Sequence, residues 1–195
     1  MTSEASRYCG WLLLIYRVPQ EPPGRRTHVW RHLKQLGAIY LQQAAAILPD
    51  RPGLHRELEA LAARIREFGG EVSLLETTSP SVEWESNLVA QFNRARDAEY
   101  AEVVENVERF EDEVRRESRK GKYTFAELED IEADWEKLQR WIARIQARDF
   151  FGAPGSALAQ NELERGHEVL HVFTHEVYAR EEVQGEIDGE THATN

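Results

Sequence analysis

Sulfur is nearly absent from this sequence, which has one cysteine, Cys9, among 195 residues. A lone cysteine closes no disulfide within the chain and suits a reducing compartment. Beside a hydrophobic stretch it reads as a small residue opening a buried strand rather than as a reactive thiol. Long apolar runs are missing too. The longest, Trp11–Tyr16, is six residues, against about twenty for a spanning helix. It is also too short for the core of a signal peptide, and no small-residue cleavage site follows it. These absences lead us to expect a soluble protein of the cytoplasm with no membrane partner. Nucleophile elbow, P-loop and dinucleotide-binding glycine motifs are absent, as are internal repeats. We therefore expect no enzyme and no cofactor.

What is present is charge, unevenly divided. The formal net charge of −11 splits into seven Lys/Arg against three acids in residues 1–51, and seventeen against thirty-two in residues 52–195. Such a chain does not coat nucleic acid generally, but it leaves room for one basic patch near its beginning.

Cys9–Val18 is apolar, leucine-rich and aromatic and stops at Pro19, the pattern of a central strand covered on both faces. A turn over 20–24 leads into a helix over 25–36, with Val29, Leu33 and Leu36 inward and Gly37 closing it. Residues 38–48 read as extended and bent near 42–44. A second helix begins at Asp50 or Arg51, with Pro52 in its first turn. It presents Leu54, Leu58, Leu61, Ile65 and Phe68 on one stripe and stops at Gly69-Gly70. A last strand covers 71–76. This β-α-β(β)-α-β order, with right-handed crossovers, predicts a ferredoxin-like α+β domain over 9–78.

From 81 to 180 only helical periodicity remains. Ser81 is an N-cap candidate, and Trp84, Leu88, Phe92, Val103, Val107, Phe110 and Val114 form a seam that residues 94–97 could break. Thr124-Phe-Ala-Glu127 is a capping box, followed by Leu128, Ile131, Trp135, Leu138, Ile142 and Ile145. Asp149-Phe-Phe-Gly152 reads as a hydrophobic plug between helices, and a further helix spans about 157–180. Three long amphipathic helices with short connections pack antiparallel. Residues 181–195 are acidic and apolar-poor, the composition of a disordered tail.

Two clusters carry candidate chemistry. The first is the basic helix, where Arg25, Arg26, Arg31 and Lys34 are joined by Arg17 at the end of the first strand and accompanied by His28 and His32. Guanidinium groups there suit phosphate oxygens, or a tetrahedral oxyanion such as chromate or sulfate. The plainer alternative is a solvated face paired with acids of the helical bundle. The second cluster is His167-Glu-Val-Leu-His171, matching the HExxH pattern in which two histidines hold zinc and Glu168 acts as base. His175 extends the row by one turn. With little chain left for a third ligand, these histidines are expected to flank the bundle rather than hold a catalytic metal. A zinc hydrolase is the alternative reading.

The motifs Trp11-Leu-Leu-Leu-Ile-Tyr-Arg-Val-Pro19, Val29-Trp-Arg31, Leu36-Gly-Ala38, Arg96-Asp-Ala-Glu-Tyr100, Gly121-Lys-Tyr-Thr-Phe-Ala-Glu-Leu-Glu129 and Arg148-Asp-Phe-Phe-Gly152 resemble the N-terminal domain of the chromate-resistance regulator ChrB. More distantly, the first eighty residues resemble the ferredoxin-like domains of PaaX-type repressors and of the small CRISPR spacer-integration subunit. The likeness implies a regulator of a chromate efflux operon that binds operator DNA and forms a homodimer through its sheet. Full-length relatives continue into a second domain, so a partner chain carrying that sensor domain is implied, or else a narrower, purely protein-binding accessory role. The spacer-integration relatives place a metal-binding aspartate where this chain has Arg17-Val-Pro19, which argues against nuclease chemistry.

Overall fold

The computed structural model describes residues 10–21 and 23–192, with residues 182–192 described at the level of the backbone. Cys9 and the end of the expected tail, 193–195, lie outside the described residues. The chain divides into two compact units, residues 1–94 with 148–151, and residues 95–147 with 152–195.

The first unit is built from β1 (Gly10–Arg17), α1 (Arg25–Leu36), β2 (Ile39–Gln42), β3 (Ala45–Pro49), α2 (Leu54–Glu67) and β4 (Glu71–Thr78). Its four strands are ordered β2-β3-β1-β4, all neighbours antiparallel. That is the ferredoxin-like order expected from the sequence. β1 is central, and its alternation serves both faces. Leu12, Leu14 and Val18 pack with Ala46 and Leu48 beneath Val29 and Leu33 of α1 and Leu58, Leu61 and Ile65 of α2. Trp11 and Ile47 meet Leu88 and Phe92 on the opposite face. There the Trp11 ring stacks on Phe92 with centroids 5.8 Å apart and lies 5.8 Å from Phe151, and its Nε1–H donates to Ser79 Oγ at 2.8 Å. The plug expected between helices packs within the sheet unit, against a strand as well as a helix. Phe150 and Phe151 are aromatic partners of Phe92 there, at 6.1 and 5.4 Å.

Local signals explain where the helices start and stop. α1 ends in a Schellman turn, with Ala38 N–H donating to Leu33 O. Gly37 sits at φ 82°, and a Cβ there would lie 2.9 Å from the Arg148 Cβ, so two constraints select glycine. α2 begins at Leu54 rather than at Asp50 or Arg51, because Arg51–Gly53 form a turn closed by Leu54 N–H to Arg51 O. Pro52 belongs to that turn.

The second unit holds α4 (Phe125–Gln146), most of α3 (Val82–Arg119), and α5 (Gly155–His192). α3 is one unbroken helix. Residues 94–97 do not divide it, because Arg96 is buried and pairs with Glu99 at 3.2 Å, one turn on, and Asp97 is taken up elsewhere. The Asp97 carboxylate accepts the Gly155 N–H at 2.7 Å and so caps the start of α5 from a neighbouring helix. Contacts of Gly155 with Asp97 and of Gly166 with Val107 set α3 and α5 parallel, and Trp135 beside both Phe110 and His167 belongs to the α4 that runs between them. The core is Val103, Val107, Phe110, Ile131, Trp135, Ile142, Phe173 and Val177 with their neighbours. At Gly166 a Cβ would come within 2.8 Å of the Trp135 ring, so this glycine lets two helices approach closely. Both expected caps form, Ser81 Oγ accepting from Trp84 N–H and Thr124 Oγ1 from Glu127 N–H. α5 continues to His192, through most of the segment whose composition suggested a tail. Its glutamates carry good helix propensity. Among the described residues no helix is long and apolar enough to cross a membrane.

Candidate anion-binding site

Helical spacing sorts the basic residues of α1 into three directions. Val29 and Leu33 are buried against the sheet, so residues a third of a turn to either side form flanks and the remainder faces water. Arg26, Trp30 and Lys34, four apart, stack along one flank. Arg31 faces outward. Arg25, His28 and His32 line the flank nearest α2.

Arg25 is consumed by the fold. Its Nη1 donates to Phe68 O at 2.8 Å and to Glu21 O at 3.4 Å, and its guanidinium lies 5.3 Å from the centroid of the Phe68 ring. That ties the start of α1 to the end of α2 and removes Arg25 from the set free for a ligand. His28 rests its edge on the same ring at 5.7 Å, and His32 Nε2 lies 3.8 Å from Glu57 of α2. The other four expected residues remain exposed. Among the described residues Arg26 spends only Nε, on Val18 O at 3.3 Å. The Lys34 ammonium sits 5.6 Å from the Trp30 ring centroid, a cation–π distance. Arg17 stands opposite Glu71 in the β1–β4 register. Among the described residues, none of Arg17, Arg25, Arg26, Arg31 and Lys34 makes an ion pair. The first turn of α1 carries no acid and no side-chain cap, which leaves a positive helix terminus beside these groups.

The five residues do not converge on one spot. Arg17 and Arg26 line a cleft of about 790 Å³ with Tyr16, Val18, Trp30, Tyr40, Gln42, Gln43 and Ala44. Arg31 belongs to a separate hollow of about 470 Å³ with His28, His32 and Gln35. The cleft was not legible in the sequence, because its tyrosines come from strands apart in the chain. β1 and β2 are brought within reach by β3, and the Tyr16 and Tyr40 hydroxyls hydrogen-bond at 3.0 Å. Burial, then the Tyr16 hydroxyl, push the Tyr40 phenol well above its ordinary range, so it stays protonated. A register shift between Tyr40 and Gln42 bulges β2 at the rim. Such irregularities re-aim side chains, here beside the Gln42 and Gln43 amides.

The His167–His171 row faces other neighbours. The His167 ring lies 6.1 Å from that of Trp135, at the edge of a hollow that also holds Gln139, Gln160 and Glu164, while His171 and His175 are exposed. Among the described residues no group of three or more His, Cys, Asp or Glu is gathered as metal ligands would be.

The bundle uses its charges internally. Buried Glu117 is held by Lys120 at 2.7 Å, Lys122 at 3.3 Å and Arg116 at 3.3 Å. Hydrogen bonding from Lys120 foremost, then from Arg116 and Lys122, lowers its pKa to about 2 against the opposing effect of burial. Buried Glu111 bridges Arg115 of its own helix and Arg165 of α5.

The sheet order and the appended bundle define an α+β protein of the ferredoxin-like class, with a basic first helix. The family model described as "Protein ChrB, N-terminal" matches residues 26–184, and the chain belongs to that family. It is 30% identical over 154 residues to Protein ChrB of Cupriavidus metallidurans, covering 79% of this chain and 44% of that protein. The chain thus spans less than half the length of that relative. No solved structure matches it.

Proposed function

We propose that this chain is a regulatory component of chromate resistance that contacts operator DNA through the exposed surface of α1. Family membership supports the pathway. The observation that carries the contact is electrostatic: Arg17, Arg26, Arg31 and Lys34 are exposed and have no carboxylate partner among the described residues. Side chains of this kind meet phosphates at little desolvation cost and release counterions as they do. Arg31 and Lys34 lie on the solvent side of the helix, where a duplex backbone can reach both. Pairing of two copies through the sheet, implied by the likeness to PaaX-type repressors, would double the patch.

A mobility-shift titration on the upstream operator, run across a salt series, tests the reading. Four phosphate contacts give a slope of log K against log salt of roughly −3.6 per protomer, and the Arg31→Ala/Lys34→Ala chain loses roughly 1.8 of it. An Arg109→Ala/Arg140→Ala control in the bundle, whose arginines pair with Glu105 and Glu136, leaves the slope unchanged. Absence of a shift with the unaltered protein removes the DNA role, and undiminished binding by the α1 variant removes the patch.

A further inference from the structure

The cleft beside α1 has features that duplex binding does not use. Its volume of about 790 Å³ falls within the 300–1,000 Å³ of small-molecule sites. One tetrahedral oxyanion, a few water volumes or on the order of 100 Å³, would leave most of it open. The lining is aromatic and amide-rich, with two cations: Tyr16, Trp30 and Tyr40, Gln42 and Gln43, and Arg17 and Arg26. Trp30 is 47% exposed on a helix flank that also carries Arg26 and Lys34. The ring presents a stacking surface with Lys34 near it, while Arg26, one turn earlier, engages only its Nε among the described residues.

We propose that this cleft binds a nucleotide unit, with the base stacked on Trp30 and its edge toward the Gln42 and Gln43 amides, and the phosphate held by Arg26. Base–aromatic stacking tolerates any base and contributes on its own scale. A guanidinium supplies the paired N–H geometry that phosphate oxygens accept. The Tyr16–Tyr40 hydroxyl pair, at 3.0 Å, offers a sugar or base group a hydrogen-bonding partner at the inner wall. The β2 bulge at the rim opens the strand edge where the base enters. The same chemistry is carried by a free nucleotide and by an unpaired residue of a single strand, and the two sources differ in whether chain length adds affinity.

Isothermal titration of the full chain with adenosine monophosphate, adenosine, inorganic sulfate and a single-stranded oligothymidylate resolves the question. The expected result is binding of adenosine monophosphate, weakened about tenfold in Trp30→Ala and comparably in Arg26→Gln, and largely kept in Trp30→Phe. Adenosine and sulfate, each carrying half of the recognition, bind more weakly. Oligothymidylate binding with the same Trp30 and Arg26 dependence while adenosine monophosphate gives no heat assigns the site to a strand and still supports it. No binding of either nucleotide probe overturns the proposal, as does sulfate binding as tightly as adenosine monophosphate, or affinity unchanged in both Trp30→Ala and Arg26→Gln. The duplex experiment turns on Arg31 and Lys34, outside this lining, so failure of one reading leaves the other standing. Far-UV circular dichroism of each variant confirms that the fold is kept, as the exposure of Trp30 leads us to expect.

Discussion

The helical bundle and α1 of the sheet unit treat positive charge in opposite ways. In the bundle nearly every cation is answered by a carboxylate within a turn or across to the next helix: Arg109 by Glu105, Arg115 by Glu111 and Asp112, Arg116 by Glu113, Lys137 by Asp134, Arg140 by Glu136, Arg165 by Glu162, and Arg180 by Glu176. On α1, Arg25 and Arg26 meet backbone carbonyls and Lys34 an indole, and among the described residues none of its Arg or Lys side chains pairs with a carboxylate. A surface ion pair contributes at most about 1 kcal/mol, so the bundle gains little stability from each. What the pairing does is neutralise its surface locally. The lesson is that a net charge of −11 says little about where an anion can land. The sheet unit keeps a small positive face because, among the described residues, no carboxylate pairs with the Arg and Lys side chains of α1.

The comparison breaks most visibly in the hydrophobic cores rather than in the charges. Trp11 is fully buried among Trp84, Phe92 and Phe151. Trp11→Ala should cost about 3–5 kcal/mol, through lost transfer energy, an open cavity and an orphaned Ser79. Urea unfolding followed by circular dichroism measures it. A loss under about 1 kcal/mol would mean that the second sheet face is not the core described here.

A smaller effect separates the one structural arginine of α1 from its exposed neighbours. Arg25→Ala removes a charge-assisted bond to Phe68 O and the contact with its ring, and should lower stability by about 1–2 kcal/mol. Arg31→Ala, which loses no hydrogen bond or ion pair among the described residues, should lie within about 0.5 kcal/mol of the parent chain. Equal losses in thermal unfolding would erase the distinction.

The smallest effect appears only in acid. Glu117 has its pKa lowered from 4.5 to about 2 by its three cations. Being depressed on folding, it stabilises the native state fully above pH 4.5, and that contribution fades as pH falls from there toward 2. Comparing Tm between pH 6 and pH 2.5 in the parent and in Glu117→Gln should show a shallower acid decline in the variant. Parallel declines would show that the clamp does not contribute.

Much of the architecture was legible in the chain because it follows from local rules. Strand alternation, 3.6-residue stripes, the Thr124 capping box and the Gly37 and Gly69-Gly70 stops each depend on neighbours within a few residues, and the βαββαβ order follows from their succession. The misread points share one cause. The supposed break at 94–97 is continuous helix because Arg96 and Asp97 find partners one turn away and on α5. The Phe150–Phe151 pair serves the sheet unit because Trp11 and Phe92 are assembled there from distant segments.

By itself the sequence determined which residues would be basic, which faces apolar, and that α1 would carry the positive side chains. It also carried the motifs by which the family is known. Tertiary structure alone decided which of those side chains are free. Arg25 is spent on a carbonyl forty-three positions away, and Arg26 and Trp30 flank a cleft whose tyrosines arrive from two different strands. Composition records how many charges a chain owns. Availability is a matter of distance, and distances between remote segments exist only once the chain has folded.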